Sequence, residues 1–297
     1  MTDNEEFYLL RRIPKVLRAR GFRLYLSNGD RLVDLWLNGG AAVLGHTPAN
    51  MLRELKNTAS RGLYPPYPHF TEGRFIKALS KIFPGRSFRL YAAPPPQLAM
   101  FAENANLNEA AQSGAIDKKN SCCGSVNIKI WRPYADPAHP FAADDAALLV
   151  PALPGIQTWR GGLPLGLCAA AINTACGESE KISAKLPPGD PLSPVLLAVA
   201  ARGLQDILAS PLRAKPALPR VMKVLKALPA AQNRGWRRRG IYLSLKREMN
   251  TEEWAALFNQ FLEAGFLPPP SPDYPLILPG ELSKGEDAKL AEALSRF

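Results

Sequence analysis

Apolar and polar positions first alternate with a period of two. Phe22, Leu24 and Leu26 are interleaved with Arg23 and Tyr25, Ser27-Asn28-Gly29-Asp30 makes a turn, and the chain returns from Leu32 to Leu37. Asn-Gly between two such runs predicts a hairpin, because tight hairpin turns need residues that tolerate positive φ. Residues 7–20 before it form a basic, partly amphipathic segment. The period then lengthens to that of a helix. Thr47-Pro48 opens one that runs to about Ser60, with Met51, Leu52 and Leu55 on one face. A second runs from Thr71 to Ile82 and stops at Pro84-Gly85.

Residues 86–145 break this rhythm. They hold Pro94-Pro95-Pro96, a polar stretch around Cys122-Cys123, the strand-like run Val126–Trp131 and a second proline-rich loop at 132–140. This is read as a shortened or remodelled region. Ala146–Val150 is continuously apolar, the pattern of a strand buried on both faces of a parallel sheet. Leu192–Ala209 is a helix, with Leu192, Val195, Leu196, Val199, Gly203 and Ile207 on one face. Residues 216–228 predict another helix, and Gly240–Leu245 alternates as a strand. Asn250 with Glu253 three positions on predicts a capped helix start. Trp254, Leu257, Phe258, Phe261 and Leu262 give that helix its apolar face, and Gly265 ends it. A last helix covers about 285–296. Strands alternating with helices argue for an α/β architecture.

Composition narrows the picture only a little. The 297 residues are enough for about two domains, 46% are apolar and 21% charged, as in an ordinary globular protein. Proline stands out at 29 copies, roughly twice the average share, so loops are stiff and helices are bounded. The net charge of +11 raises a nucleic-acid partner, but the basic residues are spread along the chain with few aromatics among them. The densest groups are Arg11–Arg23 and Arg234–Arg239. That partner ranks last, behind a solvated surface or an anionic ligand or protein. The acidic start offers no signal-peptide pattern, and the longest apolar run, near Leu163–Ile172, is too short for a membrane span. Four cysteines with no C-x-x-C pair fit a reducing cytoplasm.

No dinucleotide-binding, P-loop, zincin or nucleophile-elbow motif is present. His46, His69 and His139 are too few and too scattered for a metal cluster. The order of several weaker motifs is more telling. Gly21–Leu35 followed by Gly45-His46-Thr47-Pro48, then Phe83-Pro84-Gly85, Gly161-Gly162-Leu163-Pro164-Leu165-Gly166, Asp190-Pro191-Leu192 and Arg239-Gly240-Ile241 occur in succession. In this order they resemble the class III aminotransferases from about residue 20 to the end, with a gap-ridden middle.

The resemblance implies an α/β, aspartate-aminotransferase-like fold (fold-type I), with a mostly parallel central sheet in a large domain and a small α+β domain. The expected division is 1–44 for the N-terminal part of the small domain, 45–212 for the shortened large domain and 213–297 for the C-terminal part of the small domain. It also implies a homodimer.

In that family pyridoxal phosphate acts as an electron sink. Its site supplies a lysine that forms an imine with the aldehyde, an acid beside the pyridine nitrogen and a donor-rich turn for the phosphate. Here residues 155–166 contain no lysine. In one register Gln157 falls about where the lysine should be. In another, Ile156-Gln157-Thr158 matches the strand end that carries the acid, with Pro154 and Gly155 at the acidic positions and the lysine loop deleted. The segment matching the phosphate turn, Tyr91–Ala99, is rich in prolines, which have no N–H.

The expectation is a degenerate, non-catalytic member that holds no cofactor and has a binding or regulatory role. Its vestigial cleft would be lined by Gln157, Thr158, Arg160, Gly161 and Gly162. Alternatives are an active enzyme using a displaced lysine (Lys129, Lys181 or Lys185) and a basic nucleic-acid-binding protein.

Overall fold

A computed structural model describes residues 8–98, 128–135, 146–160, 162–209, 222–233 and 235–295. Cys122-Cys123, His139, Gly161 and the expected helical residues 216–221 lie outside them.

The N-terminal hairpin forms as its turn chemistry requires. β1 (Val16–Arg20), β2 (Arg23–Leu26) and β3 (Arg31–Asp34) are antiparallel neighbours. The basic segment at 7–20 is therefore a 3₁₀ turn (Tyr8–Arg12) followed by β1. β12 (Phe266–Leu267), from the far end of the chain, joins β3 in parallel. Beside this sheet lies a second, in which β10 (Trp236–Arg239), β11 (Tyr242–Leu245) and β13 (Leu276–Ile277) are antiparallel. Three helices complete this part of the molecule, α5 (Met222–Asn233), α6 (Thr251–Glu263) and α7 (Lys284–Ser295). Leu24, Val33, Leu243, Phe258, Phe261 and Leu290 share its core. Asn250 and Glu253 form the reciprocal cap of α6 that their spacing predicts.

The other core surrounds a four-stranded sheet in the order β4 (Arg86–Tyr91), β9 (Cys168–Asn173), β6 (Leu148–Pro151), β5 (Ile128–Trp131). β4, β6 and β5 run one way, and β9 opposes both its neighbours. The mostly parallel sheet expected above is thus a mixed one among the described residues. The pleat divides β6 and β9 between two faces. Leu149, Ala169 and Ala171 meet α2 (Thr71–Ile82) and α4 (Pro194–Ala209), whereas Leu148, Val150, Cys168, Ala170 and Ile172 meet α3 (Ser179–Lys185). Burial on both faces explains why this part of the sequence reads as apolar runs rather than alternation.

α1 (Ala49–Ala59) packs on α4. It buries Met51, but Leu52 is 40% exposed. Met51 and Thr58 are one heptad apart, which places Leu52 one step off the buried stripe.

No helix among the described residues is long and apolar enough to cross a membrane.

Candidate functional site

The stretch after β6 carries the candidate residues. Ala152, Leu153 and Pro154 continue the strand in full burial, and Gly203 of α4 lies so close to Pro154 that a Cβ there would come within 2.7 Å of its Cγ. A small hairpin follows, β7 (Thr158–Arg160) against β8 (Leu163–Leu165), with Trp159 opposite Pro164. Alternation along β7 turns Gln157 and Trp159 inward and leaves Thr158 exposed.

Gln157 is 5% exposed, and its amide nitrogen donates to the carbonyl of Leu167. Its own carbonyl accepts from Asn38 Nδ2. The side-chain oxygen of Gln157 and the indole nitrogen of Trp159 are buried without a partner among the described residues.

The N-terminal segment closes over this hairpin. Asp34, 2% exposed, accepts the amides of Trp36 and Leu37 at 2.8 and 2.9 Å and meets His46 Nε2 at 2.9 Å. This anchors a run of left-handed backbone at Leu37 (φ 45°), Asn38 (φ 49°) and Gly39 (φ 64°). Such conformations cost about 1–3 kcal/mol at a non-glycine residue and persist only where their surroundings enforce them. Here the result is contact. A Cβ on Gly39 would lie 2.5 Å from Trp159 Nε1, so the indole rests on bare backbone.

Tyr274 meets Trp159 edge to face at 6.2 Å between centroids, and its hydroxyl accepts the Gly162 amide at 3.2 Å. The Arg132 guanidinium lies 5.8 Å from the Trp159 ring centroid. Behind it, Tyr242 donates to the carbonyl of Pro133 at 2.8 Å, and burial pushes its phenol up.

The prolyl segment after β4 is the second place to test. Pro94, Pro95 and Pro96 have no amide hydrogen, Ala92's amide donates to Asp190 Oδ2 at 2.9 Å, and Leu98's donates to Pro95 at 2.8 Å. A carboxylate already seated on the first free amide repels a second anion.

Of the predicted cleft residues, then, Gln157 is inside, Thr158 faces solvent and Gly162 is held by Tyr274. Arg160 contributes its backbone to β7 opposite Leu163. The alternative lysines are elsewhere. Lys181 and Lys185 are exposed on α3, and Lys129 stands in β5 opposite Leu149. Cys168 is no redox candidate, since burial pushes its thiol up to about 12. Trp36, Asn38, Trp159, Tyr274 and Arg132 escaped the sequence reading. The one available signal was Asn38-Gly39-Gly40, a run suited to left-handed backbone.

No family model matches the chain. An uncharacterized protein of Treponema pallidum (strain Nichols) is 28% identical over 313 aligned positions, covering 91% of each chain. An uncharacterized protein of Borreliella burgdorferi is 41% identical over 75 residues, a quarter of this chain and 28% of its own length.

Solved structures say more about the architecture. Ornithine δ-aminotransferase of Plasmodium falciparum superposes with a TM-score of 0.61, covering 96% of this chain and 92% of that one at 13% identity. N-acetylornithine aminotransferase of Stenotrophomonas maltophilia K279a gives 0.60, with 96% and 95% covered, also at 13% identity.

The fold is that of the ornithine and acetylornithine aminotransferases. The aminotransferase resemblance is therefore upheld at the level of fold. The expectation of no cofactor is overturned by the same neighbours, because their fold is one built around pyridoxal phosphate, and that is the cofactor it implies. Among the described residues, the hairpin segment does not fit its covalent attachment. No lysine occurs between Gly155 and Gly166, Trp159 packs closed on Gly39, and Gln157 is engaged through its amide.

Proposed function

We propose that this chain is an aminotransferase-fold protein that does not transaminate and instead serves a binding or regulatory role. One observation carries the reading. The hairpin that stands where the aminotransferase resemblance seeks its lysine presents Gln157 and Trp159 to the interior. A carboxamide nitrogen is not nucleophilic, because its lone pair is delocalised into the carbonyl, and it cannot form an exchangeable imine. The proline-rich segment at 92–98, with Asp190 seated on it, supports the same reading from the phosphate side.

Pyridoxal phosphate remains the ligand to which the fold points, and when bound it supplies an electron sink. The contribution of this chain is enclosure. Trp159, Tyr274 and the segment 36–40 exclude water from the inward face of the hairpin, and Asn38 fixes the Gln157 backbone. In this reading the cleft is lined by Gln157, Thr158 and Gly162. The chain divides near residues 44 and 212, works as a homodimer and resides in the cytoplasm.

The test is turnover. Purified protein is supplied with pyridoxal phosphate, 2-oxoglutarate and, in turn, ornithine and acetylornithine, and glutamate formation is followed. No glutamate above a protein-free control is expected. Turnover that disappears on substituting Lys129, Lys181 or Lys185 would establish a displaced lysine and sink the reading.

A further inference from the structure

A charged surface lies apart from the hairpin in sequence, on one face of the N-terminal sheet. The strand register places Arg18 of β1 beside Tyr25 of β2 and Tyr25 beside Arg31 of β3, while Arg20 stands beside Arg23. Residues directly opposite one another share a face. Four arginines are therefore set around one tyrosine, on strands about 4.8 Å apart with alternate residues about 6.7 Å apart along each strand. On the opposite face Ala19, Leu24 and Leu32 turn toward the core, and on the arginine face Val33, beside Arg23, is buried in the same core, so the exposed part of that face is the part on β1 and at Arg31.

The arginines differ in how far they are neutralised. Arg23 and Arg31 meet Glu286 at 2.6 and 3.3 Å, and Glu281 also contributes negative charge near Arg23. Arg18 and Arg20, on the edge strand, are exposed and form no ion pair among the described residues. The Arg18 guanidinium lies 4.3 Å from the centroid of the Tyr25 ring. Seven basic residues fall between Arg11 and Arg31, against the single acid Asp30. Four of these seven, Arg18, Arg20, Arg23 and Arg31, thus stand on one side of one sheet, and an aromatic ring stands among them.

We infer that this face binds the phosphodiester backbone of single-stranded nucleic acid. Guanidinium groups present planar forks that match phosphate oxygens, and they remain charged at any physiological pH. A basic track with an aromatic ring inside it is the arrangement that holds a single strand without reading its sequence. The inference is independent of the hairpin and its ligand.

The experiment measures fluorescence anisotropy of a short labelled oligo-thymidine strand with the full-length protein at several salt concentrations. The Arg18→Glu/Arg20→Glu variant is compared with Arg237→Glu/Arg239→Glu, which alters the net charge equally through two exposed arginines on β10. Circular dichroism checks that both variants retain the wild-type fold, and Arg18→Gln/Arg20→Gln replaces the first if it does not.

Wild type is expected to bind with an affinity that falls steeply with salt. Loss of Arg18 and Arg20 is expected to weaken binding at low salt by about tenfold or more and to lower the log–log salt slope by about 1.4, at roughly 0.7 per phosphate contact on a single strand. The β10 variant should retain the wild-type slope. Equal loss in both variants would reduce the effect to net charge and overturn the inference. Absence of salt-dependent binding, or binding of poly-glutamate in its place, would overturn it as well.

Discussion

Neutralising Glu286 gives a prediction that joins one carboxylate to the stability of the whole N-terminal sheet. Arg23 donates to its two oxygens through Nε at 2.9 Å and Nη2 at 2.6 Å. The same carboxylate accepts the Ser283 amide at 2.7 Å, while Ser283 Oγ accepts the Glu286 amide at 3.3 Å. Glu286 is thus both the capping-box acid of α7 and the tie between that helix and β2. The Arg23 hydrogen bond, reinforced by the Ser283 donors, holds the carboxyl down at about 2, against an ordinary 4.5.

That interval corresponds to at most about 3.5 kcal/mol, at about 1.4 kcal/mol per pH unit. Screening by the adjacent solvent reduces the expected contribution to about 1–2 kcal/mol. Because the folded-state value is depressed, the contribution is fully present above about pH 4.5 and is lost as pH falls toward 2. Urea denaturation of wild type and Glu286→Gln should therefore differ by about 1–2 kcal/mol at pH 7. By pH 3 more than half of the difference should be gone. A difference that stays constant between pH 7 and pH 3, or none at pH 7, would refute the reasoning.

Three further substitutions follow from the packing. Gly240→Ala should fail to fold or lose more than about 4 kcal/mol by thermal melting, since its Cβ would lie 1.8 Å from the Tyr134 carbonyl oxygen at φ +59°. Gly39→Ala should lose about 2–4 kcal/mol and raise Trp159 exposure to a fluorescence quencher, because the indole must leave the backbone it rests on. Asn250→Ala removes the side-chain acceptor of the Glu253 amide, 2.8 Å away, and should lose about 1 kcal/mol in the same urea assay.

Locally specified elements were legible in the sequence. Asn28-Gly29 marks the first hairpin, Asn250 with Glu253 caps α6, and Pro84-Gly85 ends α2, because each acts within a few residues. The Ser283–Glu286 cap of α7 was equally local, but it went unread. β10 was hidden because Trp236-Arg237-Arg238-Arg239 reads as a charge cluster, and only pairing with β11 reveals a strand whose Trp236 is buried.

The candidate site was legible in part. The absence of lysine and the inward Gln157 are local facts. The closure of Trp159 on Gly39 joins positions 120 residues apart, and no periodicity encodes it. The side-by-side placement of the basic residues was hidden for the same reason. Arg18, Arg20, Arg23 and Arg31 alternate with apolar or small residues along the chain, and the sheet brings them side by side.

Covalent trapping tests the central claim most directly. The purified protein would be mixed with pyridoxal phosphate, reduced with borohydride and digested, and any labelled peptide located by mass. The account predicts no adduct above a scattered surface-lysine background. A stoichiometric adduct at a single lysine would contradict it and name the residue that does the work.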